Sequence, residues 1–350
     1  MTRHVAIVGA GVAGCATAYG LEDADAEVTV FERRTEAGGR AATRQREGCS
    51  YDVGANYLTA ADDRVQQLVE GPLADDLVAV DGEVWTLDAD ESIAPGRDDG
   101  APKWTGSRGV ADIGPALLDP TDSDVRFDVD VAGIGCDDGT WTVFSNSLDG
   151  GDGTGAGDDA RAGPFDDVVL TPPAPVTAEL LRDVSVADSL RAAARSIEYR
   201  SITTVAARYE ESFEWPYYAL VDTSKTLDLG WIAREEAKPG HVSGDGSLVI
   251  FQASPQWSQR HQHAEDPALA DAATDAAAAL LDVSALADPV WTDVVRWKHA
   301  LTDDGIATSV RTDPADAGLH VAGDWVAGES RLNAAIVSGL ETADRLAERT

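Results

Sequence analysis

Six residues near the start, Gly9-Ala10-Gly11-Val12-Ala13-Gly14, have the spacing of a turn that cradles a pyrophosphate. Glycine there allows a tight turn and a close approach of the phosphates. A helix that opens at Ala13 and Gly14 offers free N–H groups and the positive end of its dipole. Glu32 lies about 20 residues further on, where a carboxylate can accept hydrogen bonds from both hydroxyls of an adenosine ribose. These groups must be positioned, and the neighbouring residues supply the means. Val5-Ala6-Ile7-Val8 reads as a buried parallel strand, and Glu27 to Phe31 as a second strand at βαβ distance that ends on Glu32. Strand, turn, helix, strand and acid in this order predict a dinucleotide site more strongly than the glycines alone.

The next motifs bear on which dinucleotide. Glu32-Arg33-Arg34 runs to Gly38-Gly39-Arg40, and then to Tyr51-Asp52-Val53-Gly54-Ala55-Asn56-Tyr57. This stretch resembles the start of the flavin amine oxidase superfamily, in which such a GGR turn follows the second strand and lies against FAD. FAD is long and lies extended, so a second glycine turn lets backbone pass close to its ribityl and isoalloxazine end. Arg40 would supply fixed donors to phosphate or flavin oxygens. Far along the chain, His320-Val321-Ala322-Gly323-Asp324-Trp325 reads as a short strand ending in Gly-Asp. Gly328, Arg331, Leu332, Asn333 and Ala334 then open a helix running from Ile336 to Ala347. The resemblance implies that Gly323 and Asp324 lie against the ribityl chain, and that Leu332, Asn333 and Ala334 face the flavin pyrimidine ring. A helix N-terminus there would stabilise the negative charge of reduced flavin. The implied cofactor contacts also include Arg33 beside Glu32, Gly54, Ala55, Asn56 and Tyr57, and backbone at Val131 against the adenine.

Composition narrows the partners. The 350 residues carry 62 acids against 27 bases, a formal charge of −35, and the lysines are few: Lys103, Lys225, Lys238 and Lys298. Such a surface repels nucleic acid and anionic membranes. Acids scattered along the whole chain, with arginine favoured over lysine, match adaptation to high salt, which screens the self-repulsion. We expect a halophilic cytoplasmic protein that loosens at low ionic strength. Cys15, Cys49 and Cys136 have neither metal nor disulfide spacing. They lie away from the C-terminal motif, so FAD held without a covalent link, and no metal, is the expectation. The N-terminal apolar run reads as strand plus helix, ended by Glu22-Asp23 too early for a membrane span or signal peptide.

The expected fold class is α/β, with an FAD-binding Rossmann-like domain and a second α+β substrate domain built on an antiparallel sheet. Residues 1–60, 105–180 and 295–350 would form the first, and 61–104 and 181–294 the second. Val125 to Val131 alternates and reads as one strand; Trp141 to Phe144 and Phe165 to Thr171 read as others. Asn146 to Gly163, rich in glycine and aspartate, reads as a hairpin insertion, and Asp88 to Gly100 as a loop. In the second half Thr203 to Tyr209, Asp228 to Arg234 and Ser247 to Ala253 read as strands, and Asp266 to Leu281 as a helix. Five of the nine tryptophans fall here, at 215, 231, 257, 291 and 297.

Trp231-Ile232-Ala233-Arg234, Lys238-Pro239-Gly240, Gln252-Ala253-Ser254-Pro255 with Trp257-Ser258, and Arg296-Trp297-Lys298-His299-Ala300 resemble the bacterial renalase-like branch of the superfamily. The chain departs from that branch at Val295, which precedes Arg296 where histidine is frequent, and at His241, where arginine is expected. The resemblance implies oxidation of dihydronicotinamides whose hydride sits on ring C2 or C6. Flavin N5 would take the hydride, releasing oxidised NAD(P), and dioxygen would reoxidise the flavin to give hydrogen peroxide. We find no Ser-His-Asp set, metal cluster or paired-carboxylate site, and this chemistry needs none. The protein must orient two stacked rings and exclude water. Trp231, Trp297 and Tyr217 are candidate walls, His299 and Arg234 candidate partners of a carboxamide or phosphate, and Lys238 either a flavin neighbour or a turn cap. The partners expected are thus a small-molecule substrate and dioxygen. Three alternatives stay open: a flavin amine oxidase for a small amine or polyamine, a desaturase-like or porphyrinogen-oxidising enzyme, and an FAD-binding protein without turnover. The oligomeric state is open as well.

Overall fold

The computed structural model describes residues 2–96, 101–146 and 160–349. Strands Asp124–Arg126, Ala26–Phe31, Arg3–Val8, Asp167–Leu170 and Leu319–Val321 lie side by side in that order, all parallel. Helices cover the sheet, so its central strands are apolar on both faces. Val5, Ile7 and Val169 pack with helix Val12–Gly20 and the final helix Leu332–Ala347. Ala6, Val8, Val168 and Leu170 pack the other way, against Trp141, Leu180 and Leu190.

The second sheet has seven strands, in the order Trp291–Thr302, Tyr199–Arg208, Leu248–Ala253, Leu229–Arg234, Ala219–Asp222, Val84–Leu87 and Ile93–Ala94. It is antiparallel except where Val84–Leu87 runs parallel to Ala219–Asp222. Alternation along each strand separates two faces. Val249 and Phe251 pack with Ala270, Ala273 and Ala277 of helix Asp266–Leu281. Leu248 and Ile250 pack with Tyr51 and Val53, beside the first domain.

Both expected domain types are present, but several segments cross the expected boundaries. Val65, Leu68 and Val69 of helix Asp63–Glu70 join the core of the parallel sheet, as do Leu181 and Leu190 further on. Strand Trp291–Thr302 runs unbroken through position 295. The single strand expected over 125–131 is two. Asp128 has φ 57°, which turns the chain, and Asp130–Asp137 starts a separate three-stranded antiparallel sheet. Most of the expected insertion between Asn146 and Gly163 lies outside the described residues, although strand Ala160–Phe165 starts within it.

Candidate active site

The turn at the end of strand Arg3–Val8 is built as phosphate binding requires. Gly9 has φ 99°, and a Cβ on Gly14 would lie 2.0 Å from the Gly9 carbonyl oxygen. A Cβ on Gly11 would meet nothing within 4 Å, so backbone alone faces that space. The helix begins there without a side-chain cap, leaving N–H groups and dipole for an anion. Glu32 is buried, with Oε2 accepting from the Ala10 N–H at 2.7 Å and Oε1 from the Arg34 N–H at 2.9 Å. Each oxygen keeps a further lone pair for a ribose hydroxyl. The second glycine turn abuts the first: the Gly38 N–H donates to Ala10 O at 2.8 Å, and Gly11 pairs with Gly38. Arg33 is exposed, and Val131 is half-buried against the core that holds Val8 and Phe31. This cradle fits the adenosine pyrophosphate half of FAD.

Arg40 and Asp324 form a bidentate ion pair. Nη2 lies 2.6 Å from Oδ1 and Nη1 2.8 Å from Oδ2. Arg40 Nη1 also donates to the carbonyls of His299 and Ala300 at 3.3 and 3.2 Å. The Ser330 hydroxyl donates to Asp324, and Ser338 Oγ accepts from the Gly323 N–H. The final helix opens at Leu332 with no side-chain cap and no acid in its first turn. Its N–H groups and positive dipole end are thus available to the flavin pyrimidine edge.

The ring end is assembled by side chains from distant segments. Ala55 N–H donates to Arg40 O, and a Cβ on Gly54 would lie 2.0 Å from that same oxygen. The second sheet grips this segment from the other side. Gln252 Nε2 donates to Gly54 O at 2.8 Å and its Oε1 accepts from Asn56 Nδ2 at 3.3 Å. Trp297 Nε1 donates to Val53 O at 2.7 Å. Cross-strand pairing sets Thr204, Gln252, Trp231, Val221 and Thr86 in one row, and paired residues of adjacent strands share a face. Tyr57 approaches Trp231 and Tyr218, with ring centroids 6.1 and 6.3 Å apart. The row ends at a cavity of about 390 Å³ lined by Tyr57, Thr86, Val221, Lys103, Arg331 and Asn333, with Glu83 and Glu329. Asn56 Oδ1, Thr204 Oγ1, Tyr218 Oη and Trp231 Nε1 are buried without a hydrogen-bond partner. Polar atoms so placed favour a bound partner, and they fit the flavin ring and what stacks on it.

The other expected ring-site residues divide between the two faces. Trp231 and Trp297 are on the face toward the first domain. Tyr217 is on the opposite face, with Leu220 and Phe251, and its neighbour Tyr218 takes the wall position. Arg234 also points away from the site. Its guanidinium donates to the carbonyls of Phe213 and Tyr217, closing that loop. The placement of Arg234 follows from strand alternation, which a one-residue shift reverses, whereas Tyr217 lies in the bend before strand Ala219–Asp222, where no alternation holds. His299 lies against Tyr199, centroids 5.3 Å apart. Burial, then the charges of Lys298 and Arg40, lower its pKa and leave it a neutral imidazole at neutral pH. Lys238 has no exposed surface and is held by Asp52 and Glu235, so it does not cap a surface turn, and its Nζ lies 5.9 Å from the ring centroid of Tyr218. Gln252 was not among the candidates. Its sign in the sequence is one polar residue in the run Leu248-Val249-Ile250-Phe251-Gln252-Ala253, on the face of Leu248 and Ile250.

Residues 7–71 match the family model of the NAD(P)-binding Rossmann-like domain. Residues 95–347, most of the chain, match that of flavin containing amine oxidoreductases. Protoporphyrinogen oxidase 2 of Arabidopsis thaliana is 43% identical over 75 residues, 21% of this chain and 14% of that protein. Polyamine oxidase 4 of Oryza sativa subsp. japonica is 44% identical over 54 residues, 15% of this chain and 11% of that protein. These matches therefore span a small part of each relative. A crystal structure of a candidate protoporphyrinogen oxidase from Exiguobacterium sp. 255-15 aligns over 100% of both chains with a TM-score of 0.79 at 14% identity, so the fold is shared. Among the described residues no helix is long and apolar enough to cross a membrane.

Proposed function

The chain belongs to the flavin containing amine oxidoreductase family, and from that premise we propose that it oxidises a 2- or 6-dihydro-NAD(P) in the renalase-like manner. When bound, FAD supplies the hydride acceptor, and dioxygen takes up the two electrons and becomes hydrogen peroxide. The reading rests on one observation: the row Thr204, Gln252, Trp231 and Val221 carries no ionisable side chain. An amine reaches a flavin as an ammonium and must shed a proton before hydride can leave. A dihydropyridine needs no base, because its ring nitrogen pushes the electrons out. Trp231 and Tyr57 offer flat apolar contact to such a ring, and the partnerless Trp231 N–H and Tyr218 O–H can hydrogen-bond a carboxamide. The packed rings and Gln252 exclude water from the reacting edge.

The proposal includes FAD held without a covalent link. Supporting this, Cys15 and Cys49 are buried, with the Cys15 thiol bonded to Ala10 O, and Cys136 lies on the separate strand Asp130–Asp137. It also includes a cytoplasmic location and adaptation to high salt, supported by the charge of −35.

Anaerobic mixing in high salt tests the substrate. Dihydro-NAD(P) isomers with hydride at C2 or C6 are expected to bleach the flavin in a single turnover, and peroxide should appear on admitting air. A second reading, oxidation of a small amine, is favoured by Glu83 and Glu329 at the cavity, which could hold an ammonium. Bleaching by amines and not by dihydronicotinamides would replace the first reading with the second. A flavin left oxidised by both classes would defeat both readings.

A further inference from the structure

Asp52, Glu235, Lys238 and His241 form a cluster in which every side chain is 0% exposed. Lys238 Nζ donates to Asp52 Oδ2 at 2.7 Å and Glu235 Oε1 at 2.8 Å. His241 Nδ1 lies 2.9 Å from Glu235 Oε2, and Nε2 lies 3.1 Å from the Gly106 carbonyl oxygen. Both ring nitrogens therefore face groups that can only accept. A neutral imidazole has one N–H and would set a lone pair against one of them, whereas an imidazolium donates to both. With His241 charged the four formal charges sum to zero. With His241 neutral one negative charge is left buried, a costly state. The three carboxylate and histidine side chains lie close enough together to hold a metal ion, but the Lys238 ammonium already serves two of them as their cation.

The cluster joins parts that build the ring end. Asp52 also accepts from the hydroxyls of Thr43 and Thr105, at 2.6 and 3.1 Å, and from the Val110 N–H at 2.9 Å. The next residues along the chain are Val53 to Tyr57, the segment gripped by Trp297 and Gln252. Lys238 Nζ lies 5.9 Å from the ring centroid of Tyr218, which meets both Tyr57 and Trp231. Floor and wall of the ring site thus hang on the same four charges.

We propose that Asp52, Glu235, Lys238 and His241 are a proton-dependent positioning device for the flavin seat, in which the His241 imidazolium completes the charge balance that holds Val53–Tyr57 against the second sheet. The inference rests on family membership and not on the choice of substrate. The groups facing His241 are Asp52 from the first domain, Glu235 and Lys238 from its own turn, and the Gly106 carbonyl, with Tyr218 behind Lys238. Burial opposes protonation of His241, as does the charge of Lys238. The Glu235 bond and the charges of Glu235 and Asp52 outweigh them and raise its pKa. The stabilisation is complete below the ordinary histidine value and is lost as pH rises through the raised one.

The test uses the FAD-loaded protein in high salt, with the circular dichroism of the flavin bands recorded from about pH 6 to about pH 10. The wild type should show a one-proton transition. His241→Gln should lack it, keep the alkaline signature throughout and release FAD about tenfold more readily at the acid end. Identical titrations of the two proteins, or a flat wild-type signal, would overturn the proposal. Should His241→Gln fail to retain FAD, His241→Lys puts a lasting cation there. A flat signal of the acidic wild-type form then supports the device, and a wild-type transition refutes it.

Discussion

The two ends of the flavin site are made of different materials. The pyrophosphate end is backbone: glycines at 9, 11 and 14, one uncapped helix start and one buried carboxylate, all within 32 residues. The ring end is side chain. Gln252, Trp231, Tyr218, Tyr57 and Trp297 come from five separate segments and meet only because two sheets pack together. A backbone site tolerates no added atoms, because the atoms it touches cannot move aside. A side-chain site tolerates loss, and what it loses is mainly orientation, with little affinity for the cofactor.

Substitutions within the site can break that contrast, beginning where the effect is largest. Gly14→Ala sets a Cβ 2.0 Å from the Gly9 carbonyl oxygen. Overpacking against backbone costs about 3 kcal/mol, so FAD affinity should fall roughly a hundredfold. Fluorescence titration with FAD measures it, and wild-type affinity would mean that the turn is not the cradle. At the other end, Trp231→Ala should leave FAD affinity within about twofold and lower kcat about tenfold through lost ring orientation. A variant that instead loses FAD would erase the distinction between the two ends. Gln252→Ala removes the hydrogen bonds to Gly54 and Asn56, and about 1 kcal/mol of FAD affinity should go with them. Arg234→Ala sharpens the comparison from outside the site. It should cost about 2 kcal/mol in denaturant unfolding, because carbonyls of Phe213 and Tyr217 lose their donor, while KM and kcat stay at wild-type values. A raised KM would return Arg234 to the substrate.

The legible parts of the fold were those whose signal is local. Helix Asp266–Leu281 is as expected from its alanines, and the central strands at 5–8 and 27–31 were marked by apolar runs. The strand expected over 125–131 failed because the alternation continues through Asp128, whose positive φ carries no signature in the side-chain pattern. The same limit applied to Tyr217 and Arg234. Their chemistry suits a ring pocket, but alternation turns Arg234 to the helix-covered face, and the bend before strand Ala219–Asp222 turns Tyr217 the same way. The departure at His241, legible as an unexpected residue after Gly240, could not be interpreted from sequence at all. Its charged neighbours Glu235 and Lys238 are close in sequence, but the Asp52 that completes the set lies 189 positions away.

By itself the sequence determined the cofactor cradle, because steric limits on a glycine turn and the dipole of a helix start act over a few bonds. It also determined the family, through motifs at both ends of the chain. Tertiary structure decided which residues face the flavin ring, since that depends on which face of a strand is covered and on register between strands far apart. It also decided the charge state assigned to His241. Protonation of a buried group is set by the donors and charges that packing brings around it, and here Asp52 and the Gly106 carbonyl come from far along the chain.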